Sequence, residues 1–283
     1  MTKRTLLVPL LALTLFAVGC GRLTDAGDGG VIEHPTGPNE LVLRIDIGGG
    51  FVPVGYAIAQ IPQWSLFGDG RLVTEGPQIE IYPGPALPGL QVQTLTEDGV
   101  QAILEAAREA GLIGPNRSYD YPCIADAPTT TFTLYAGGTK HVVSAYALGL
   151  SEGACQGADT EARAKLAAFQ AKLTDLASWL PTGSVGDQVP FEFDEMRVLV
   201  QPYSASPEPG LGQSPIAWPL EPLSVFGQPS ATFSDFRCGV VSGADFAKLL
   251  PEAQRANELT PWGSDGERYG LIFRPLLPDE HTC

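Results

Sequence analysis

The sequence predicts an α+β protein made of two small domains, each an antiparallel sheet with packed helices. Three observations point there. Between residues 41 and 181 the periodic stretches follow the order strand, hairpin, helix, hairpin, helix, which suits an α+β domain better than the strict alternation of a parallel sheet. The stretch TGSVGDQVP, residues 182–190, then has linker composition. The four cysteines after position 20 fall two on each side of it.

In LVLRIDI, Leu41, Leu43, Ile45 and Ile47 share one face and Arg44 and Asp46 the other, the period-two pattern of a half-buried strand. The glycines of IDIGGGF open no helical pattern, so this stretch reads as a bulge or turn. QWSLFGDGRLVTE sets Asp69-Gly70 between apolar stretches, a hairpin signal of the type I′ kind, in which both central residues take positive φ. Thr96 caps a helix striped by Val100, Ile103, Leu104 and Ala107, and Gly111 stops it. TTTFTLYAGGTKHVVSAYAL forms two strands around Gly137-Gly138. A helix capped by Asp159 then carries Leu166, Phe169, Leu173, Leu176 and Leu180 at spacings of three and four, with Pro181 as its stop.

After the linker, EMRVLVQPY reads as a strand, and the proline-punctuated residues 202–223 are excluded from central strands. Further strands are expected at LSVFG and RYGLIFRPLLP, with Pro275 and Pro278 blunting the last as a sheet edge. FRCGVV leads to Ser242-Gly243-Ala244-Asp245, a capping box with Asp in place of Glu, opening a helix through Phe246, Leu249 and Leu250 that Pro251 must break, kink or restart. GVQAILEAAREAGL and DFAKLLPEAQRANEL share enough lettering to raise the idea of a duplicated domain.

The first nineteen residues have the parts of an export leader: basic Lys3 and Arg4, then an apolar core from Leu6 to Val18. That core is shorter than the roughly twenty residues a membrane-spanning helix needs. It ends in Ala17-Val18-Gly19-Cys20. This stretch resembles the lipobox of bacterial lipoproteins, although Ala17 stands where the family prefers Leu. The resemblance implies cleavage after Gly19, a diacylglyceryl thioether on Cys20, and anchoring on the extracytoplasmic face of the cell membrane. The expected organisation is a signal peptide over 1–19, a flexible tether over 20–40, domains over 41–181 and 191–283, and the linker 182–190 between them. DAGDGG in the tether lacks the spaced oxygens and closing Glu of a calcium loop.

Losing Lys3 and Arg4 with the leader takes the formal net charge from −15 to −17. Such a surface repels nucleic acid, so no nucleic-acid partner is expected. With Cys20 set aside, Cys123, Cys155, Cys238 and Cys283 form an even set suited to an oxidising compartment, with three possible connectivities. The division of the chain favours Cys123 with Cys155 and Cys238 with Cys283. No CxxC spacing or clustered histidine suggests a metal site, and no cofactor is expected.

Catalytic motifs are few. Gly212-Gln213-Ser214-Pro215-Ile216 lacks the second glycine of a nucleophile elbow, and neither HExxH nor a phosphate-binding glycine loop occurs. Paired acids such as Asp120 with Asp126, or Asp194 with Glu195 and nearby Glu192, carry little specificity among 32 carboxylates. DYPCIADAPTTT reads foremost as a disulfide-pinned lid packing Tyr119, Tyr121 and Pro122, and its Asp120 and Asp126, with His141, are the weak candidates for a ligand site.

Two stretches, GADFAKLL with ELTPWGSDGERYGLIFRPLLPDEHTC and SYDYPCIADAPTTTFTLYAGGTKHVVSAYALG, resemble uncharacterised lipoproteins of high-GC Gram-positive bacteria. The resemblance brings no catalytic or binding residue with it. Within the first, Trp262 can anchor the helix–strand connection and Asp265-Gly266 makes a turn. The function expected is that of a membrane-anchored, non-enzymatic binding or accessory module for an envelope protein or small ligand. The alternative is an extracytoplasmic hydrolase with a dispersed carboxylate site.

Overall fold

A computed structural model describes residues 30–77, 81–150, 155–208, 210–230 and 235–283. The leader, Cys20 and the first part of the tether lie outside these residues. The protein is α+β, with two sheets whose pairings are mostly antiparallel. Residues Ile32–Cys283 form one compact unit.

The first sheet begins with β1 (Leu41–Gly48), α1 (Val54–Ala59), β2 (Trp64–Phe67), β3 (Arg71–Glu75) and β4 (Leu90–Thr94). After α2 (Glu97–Glu109) come β5 (Arg117–Tyr119), β6 (Thr129–Ala136), β7 (Thr139–Tyr146), α3 (Thr160–Lys172) and β8 (Val189–Pro190). Its strand order is β5-β7-β6-β1-β2-β3-β4-β8. The second sheet uses β9 (Glu195–Pro202), β10 (Ile216–Ala217), β11 (Gln228–Pro229) and β12 (Arg237–Ser242), then α4 (Gly243–Arg255), β13 (Pro261–Ser264) and β14 (Glu267–Pro275). Its order is β10-β13-β14-β9-β12-β11.

Helices α2 and α3 cover one face of the first sheet. Ile103 and Leu104 meet Leu166 and Phe169 over Ile45, Leu66, Leu72 and Phe132, all fully buried or nearly so. Burying a side chain of this size stabilises by about 1.5–3 kcal/mol. Thr96 caps α2 by accepting from the Gly99 N–H, and the Leu112 and Gly111 N–H groups close its other end on the Ala107 and Arg108 carbonyls. A separate core beneath α4 joins Leu249 and Ala253 to Met196, Val198, Trp262 and Phe273. Leu277, from the C-terminal segment, packs on the opposite face of the first sheet with Phe67, Val73 and Leu90.

Several expectations change in detail. The β2–β3 turn has three residues, Gly68-Asp69-Gly70, closed by the Gly70 N–H on the Phe67 carbonyl at 3.0 Å. Only Gly70 takes a positive φ, of 85°. This is the pattern of a type I turn followed by a left-handed glycine. A Cβ on Gly70 would lie 2.4 Å from the Leu95 carbonyl oxygen, so the close approach itself requires glycine. The two-residue type I′ form occurs instead at Gly137-Gly138, with φ of 55° and 68°, and at Asp265-Gly266, with 54° and 82°.

The helix expected to reach Leu180 ends at Lys172 and is followed by a single 3-10 turn, Leu176–Ser178. The Thr174 hydroxyl donates to the Ala171 carbonyl and the Trp179 indole N–H to the Lys172 carbonyl, so side chains satisfy the last turn in place of further helix. The stretch LSVFG is a turn and not a strand, because the Val225 and Phe226 N–H groups both donate to the Pro222 carbonyl and bring Leu223 and Phe226 into the core. The capping box at Ser242 does not form: Asp245 takes the Lys248 ammonium at 2.7 Å and the serine side chain makes no capping bond. Helix α4 runs through Pro251 without ending there. Pro275 does not blunt an edge, because β14 lies between β13 and β9; the two-residue strands β10 and β11 form the edges.

Residues 182–190 carry the chain from one sheet toward the other while held on the first. Val185 bridges Leu95, and Val189 pairs with Val92. The end of the expected tether is also docked: the Ile32 N–H donates to Gln101 and His34 meets Glu97 at 3.1 Å. The similar helices α2 and α4 follow sheets of different extent: β1 leads through β2, β3 and β4, paired in that order, before α2, whereas β9 pairs with β12, the strand that leads into α4. In both sheets the opening strand also pairs with the first long strand after the helix, β6 or β14.

Candidate functional site

The break after α3 has a structural consequence. Where the helix stops, Leu173 stays buried in the core and Thr174 is exposed, and beside them lies a hollow of about 250 Å³ over β1–β4. Its floor is Ile45 and Trp64, which pair across β1 and β2. Around them stand Thr74 from β3, Gln93 from β4, Gln170 from α3, Gln63 at the start of β2 and Gln188 before β8. The Gln170 amide donates to the Gln63 side-chain oxygen at 2.9 Å, joining helix to sheet across one rim.

No lining residue of this hollow carries a charge, in a chain with 32 acidic side chains. Trp64 is 4% exposed, and its indole N–H is buried without a hydrogen-bond partner in the structure. Leaving such a donor unmet costs about 1–3 kcal/mol, and groups of this kind mark places that a ligand or an ordered water completes.

A second cavity, of about 550 Å³, lies beside the C-terminal segment and is lined by Glu192, Asp194, Glu195, Glu280 and His281, with Arg71 opposite. It gathers the acids of the 192–195 stretch that the sequence singled out. Glu280 is already committed. Arg274, 5% exposed, grips both of its oxygens at 2.6 and 2.8 Å, and the Leu277 N–H donates to it at 3.1 Å. Burial pushes the Glu280 carboxyl up, but the hydrogen bonds and charge of Arg274 outweigh it, and the group titrates below its ordinary value. His281 is 65% exposed and 3.6 Å from Glu195. Nearby, Arg44 pairs with Asp279 at 2.7 Å, while burial raises the pKa of Asp46 against the pull of Arg44. A third cavity, of about 650 Å³, runs between α1 and the Pro85–Gly89 stretch and is more apolar.

Asp120, Asp126 and His141 line none of these cavities. Asp120 and Asp126 are exposed in the loop between β5 and β6, and Asp126 has a φ of 55°. The His141 Nδ1 lies 2.7 Å from the Gly114 carbonyl on the way into β5. The loop around the two aspartates is pinned as the sequence suggests. Cys123 bonds Cys155, Tyr121 is buried beneath the Arg163 guanidinium at 4.6 Å, and the Ala127 N–H donates to the Tyr146 hydroxyl; Pro122 is exposed and takes no part. Cys238 bonds Cys283, and in both bridges the Cα atoms are 6.0 Å apart. Among the described residues no cluster of His, Cys, Asp or Glu could hold a metal ion.

No protein-family model, curated protein or solved structure matches this chain. The reading of its site therefore rests on its own residues. Sequence reasoning missed the glutamines, which are spread from position 63 to 188 and share no spacing. The available signal was negative: four uncharged amides in an otherwise acidic chain, Gln93 in a strand, Gln170 in a helix, and Gln63 and Gln188 just before strands.

Proposed function

We propose that this chain is an extracytoplasmic lipoprotein, held to the cell membrane by acyl chains on Cys20, whose folded part binds a small uncharged ligand as a non-enzymatic accessory of the envelope. The observation that carries the binding half is the hollow beyond α3: it offers amides and hydroxyls, and no nucleophile–base pair or carboxylate among its lining. The anchoring half is supported by the Ala17-Val18-Gly19-Cys20 junction. Two disulfides in the folded part suit an oxidising compartment. Each buried methylene of an acyl chain adds about 0.8 kcal/mol to membrane binding, so two or three chains on one residue hold firmly.

Mass spectrometry of the membrane-extracted protein tests the anchor. The mature N-terminus is expected at Cys20 with diacylglyceryl mass added, and Cys20→Ala is expected to prevent that processing. An unmodified N-terminus, or wild-type membrane retention by the variant, contradicts it.

A second reading is favoured by one observation, the convergence of Glu192, Asp194 and Glu195 on the cavity beside His281. A hydrolase using this cavity would lose turnover of its substrate in Asp194→Asn or Glu195→Gln with folding unchanged. The binding reading expects neither variant to alter ligand affinity.

A further inference from the structure

The chemistry of the hollow narrows its ligand, an inference that rests on reading it as a binding site. A carboxylate or ammonium entering it would lose water and meet no opposite charge, which is unfavourable by several kcal/mol. A hydrocarbon would leave the half-buried Gln93 amide without a partner and offer nothing to the amides of Gln170 and Gln188. The occupant is therefore neutral and dense in hydrogen-bonding groups. A glutamine amide offers two N–H donors and a carbonyl acceptor, and a threonine hydroxyl plays both parts. Of these only the Gln170–Gln63 pair is closed on itself.

A neutral peptide segment brings one backbone donor and one acceptor per residue, too few for this rim. Ring hydroxyls, each donor and acceptor at once, match it. The floor is closed by Ile45 and Trp64, 1% and 4% exposed, so it limits the depth of the hollow and leaves the contacts with a ring to the rim side chains. The volume of about 250 Å³ lies below the roughly 300–1,000 Å³ of drug-sized pockets, which suits one ring and not an extended chain. We infer that the hollow at the end of α3 binds a single neutral pyranose unit, ringed by Thr74, Gln93, Gln170 and Gln188 over Trp64.

The test is saturation-transfer NMR on the purified full-length chain. Its probes are glucose, galactose and N-acetylglucosamine as neutral sugars, glucuronate and glucosamine as charged ones, and N-acetylalaninamide as a neutral amide. At least one neutral sugar is expected to bind, with both charged sugars weaker by about tenfold or more. Gln93→Leu and Thr74→Val are each expected to weaken the neutral sugar about fivefold, the loss of one net hydrogen bond. Gln188→Leu, at an exposed rim position, gives the same readout without touching the core, so a folding failure in the other two cannot mask the result. Equal binding of glucuronate, or neutral-sugar binding unchanged in Gln188→Leu, overturns the inference. Binding of the amide but of no sugar overturns the ligand class while leaving the hollow a binding site. Silence from every probe overturns both.

Discussion

The Gln170 side-chain N–H donates to the Gln63 side-chain oxygen at 2.9 Å, a bond between positions 107 residues apart in sequence. It fixes the last turn of α3 against the start of β2 and sets one wall of the hollow. Both side chains reach solvent, so Gln170→Ala is expected to lower unfolding free energy by under about 1 kcal/mol. Ligand affinity is expected to fall more than stability does. Thermal unfolding and a binding titration on the same preparation separate the two effects.

The ion pair of Arg274 with Glu280 lies at the junction of β14 and the C-terminal segment, where Arg274 also donates to the Gln60 carbonyl at 3.0 Å. Removing the guanidinium leaves Glu280, 17% exposed, as a nearly buried charge. Arg274→Met is expected to destabilise by about 3–5 kcal/mol, and adding Glu280→Gln to it to recover a large part of the loss. Urea denaturation of the single and double variants measures this.

Two carboxyls give stability opposite dependences on pH. Glu280 titrates below its ordinary 4.5 in the folded state, so its contribution is present above that value and is lost as pH falls through the lowered one. Asp46 is raised from 3.8 by burial, with Arg44 pulling the other way, so its ionisation opposes folding as pH rises through the folded value. Asp46→Asn is expected to be more stable than wild type at pH 7, with the difference vanishing below about pH 3.8. Unfolding midpoints across that range check the sign.

The Cys238–Cys283 bridge spans 45 residues and holds the chain end where Arg197 donates twice to the Thr282 carbonyl. Replacing both cysteines by serine is expected to lower stability by roughly 4 kcal/mol in the loop-entropy account. Proteolysis should then cut near the C-terminus first, and mass mapping of the earliest fragments would show it.

The sequence made the fold readable wherever one face is buried over several residues. Leu43 and Ile45 in β1, the stripe of Ile103 and Leu104 in α2, and the Gly137-Gly138 hairpin emerge with the expected faces or turns. Short elements escaped for a physical reason: α1 has six residues and β5 three, too few to show a period, and their place depends on partners distant in the chain. The end of α3 escaped because Leu173, Leu176 and Leu180 are all buried, so the apolar pattern continues where the helix does not. The hollow depends on that break, and its glutamines converge only through the pairing of four strands. The disulfides were readable because the even set splits across the chain. Cys20, on which the proposed anchor depends, lies outside the described residues.

The indole N–H resonance of Trp64 reports on the claimed site most directly. The chain has four tryptophans, and of these only Trp64 lines the hollow. Titrating the neutral sugar that binds best into the ¹⁵N-labelled chain is expected to shift the Trp64 indole signal progressively while the other three hold still. A titration that moves Trp218 or Trp262, or leaves all four unmoved while the sugar binds, would place the ligand elsewhere and contradict the assignment of this hollow.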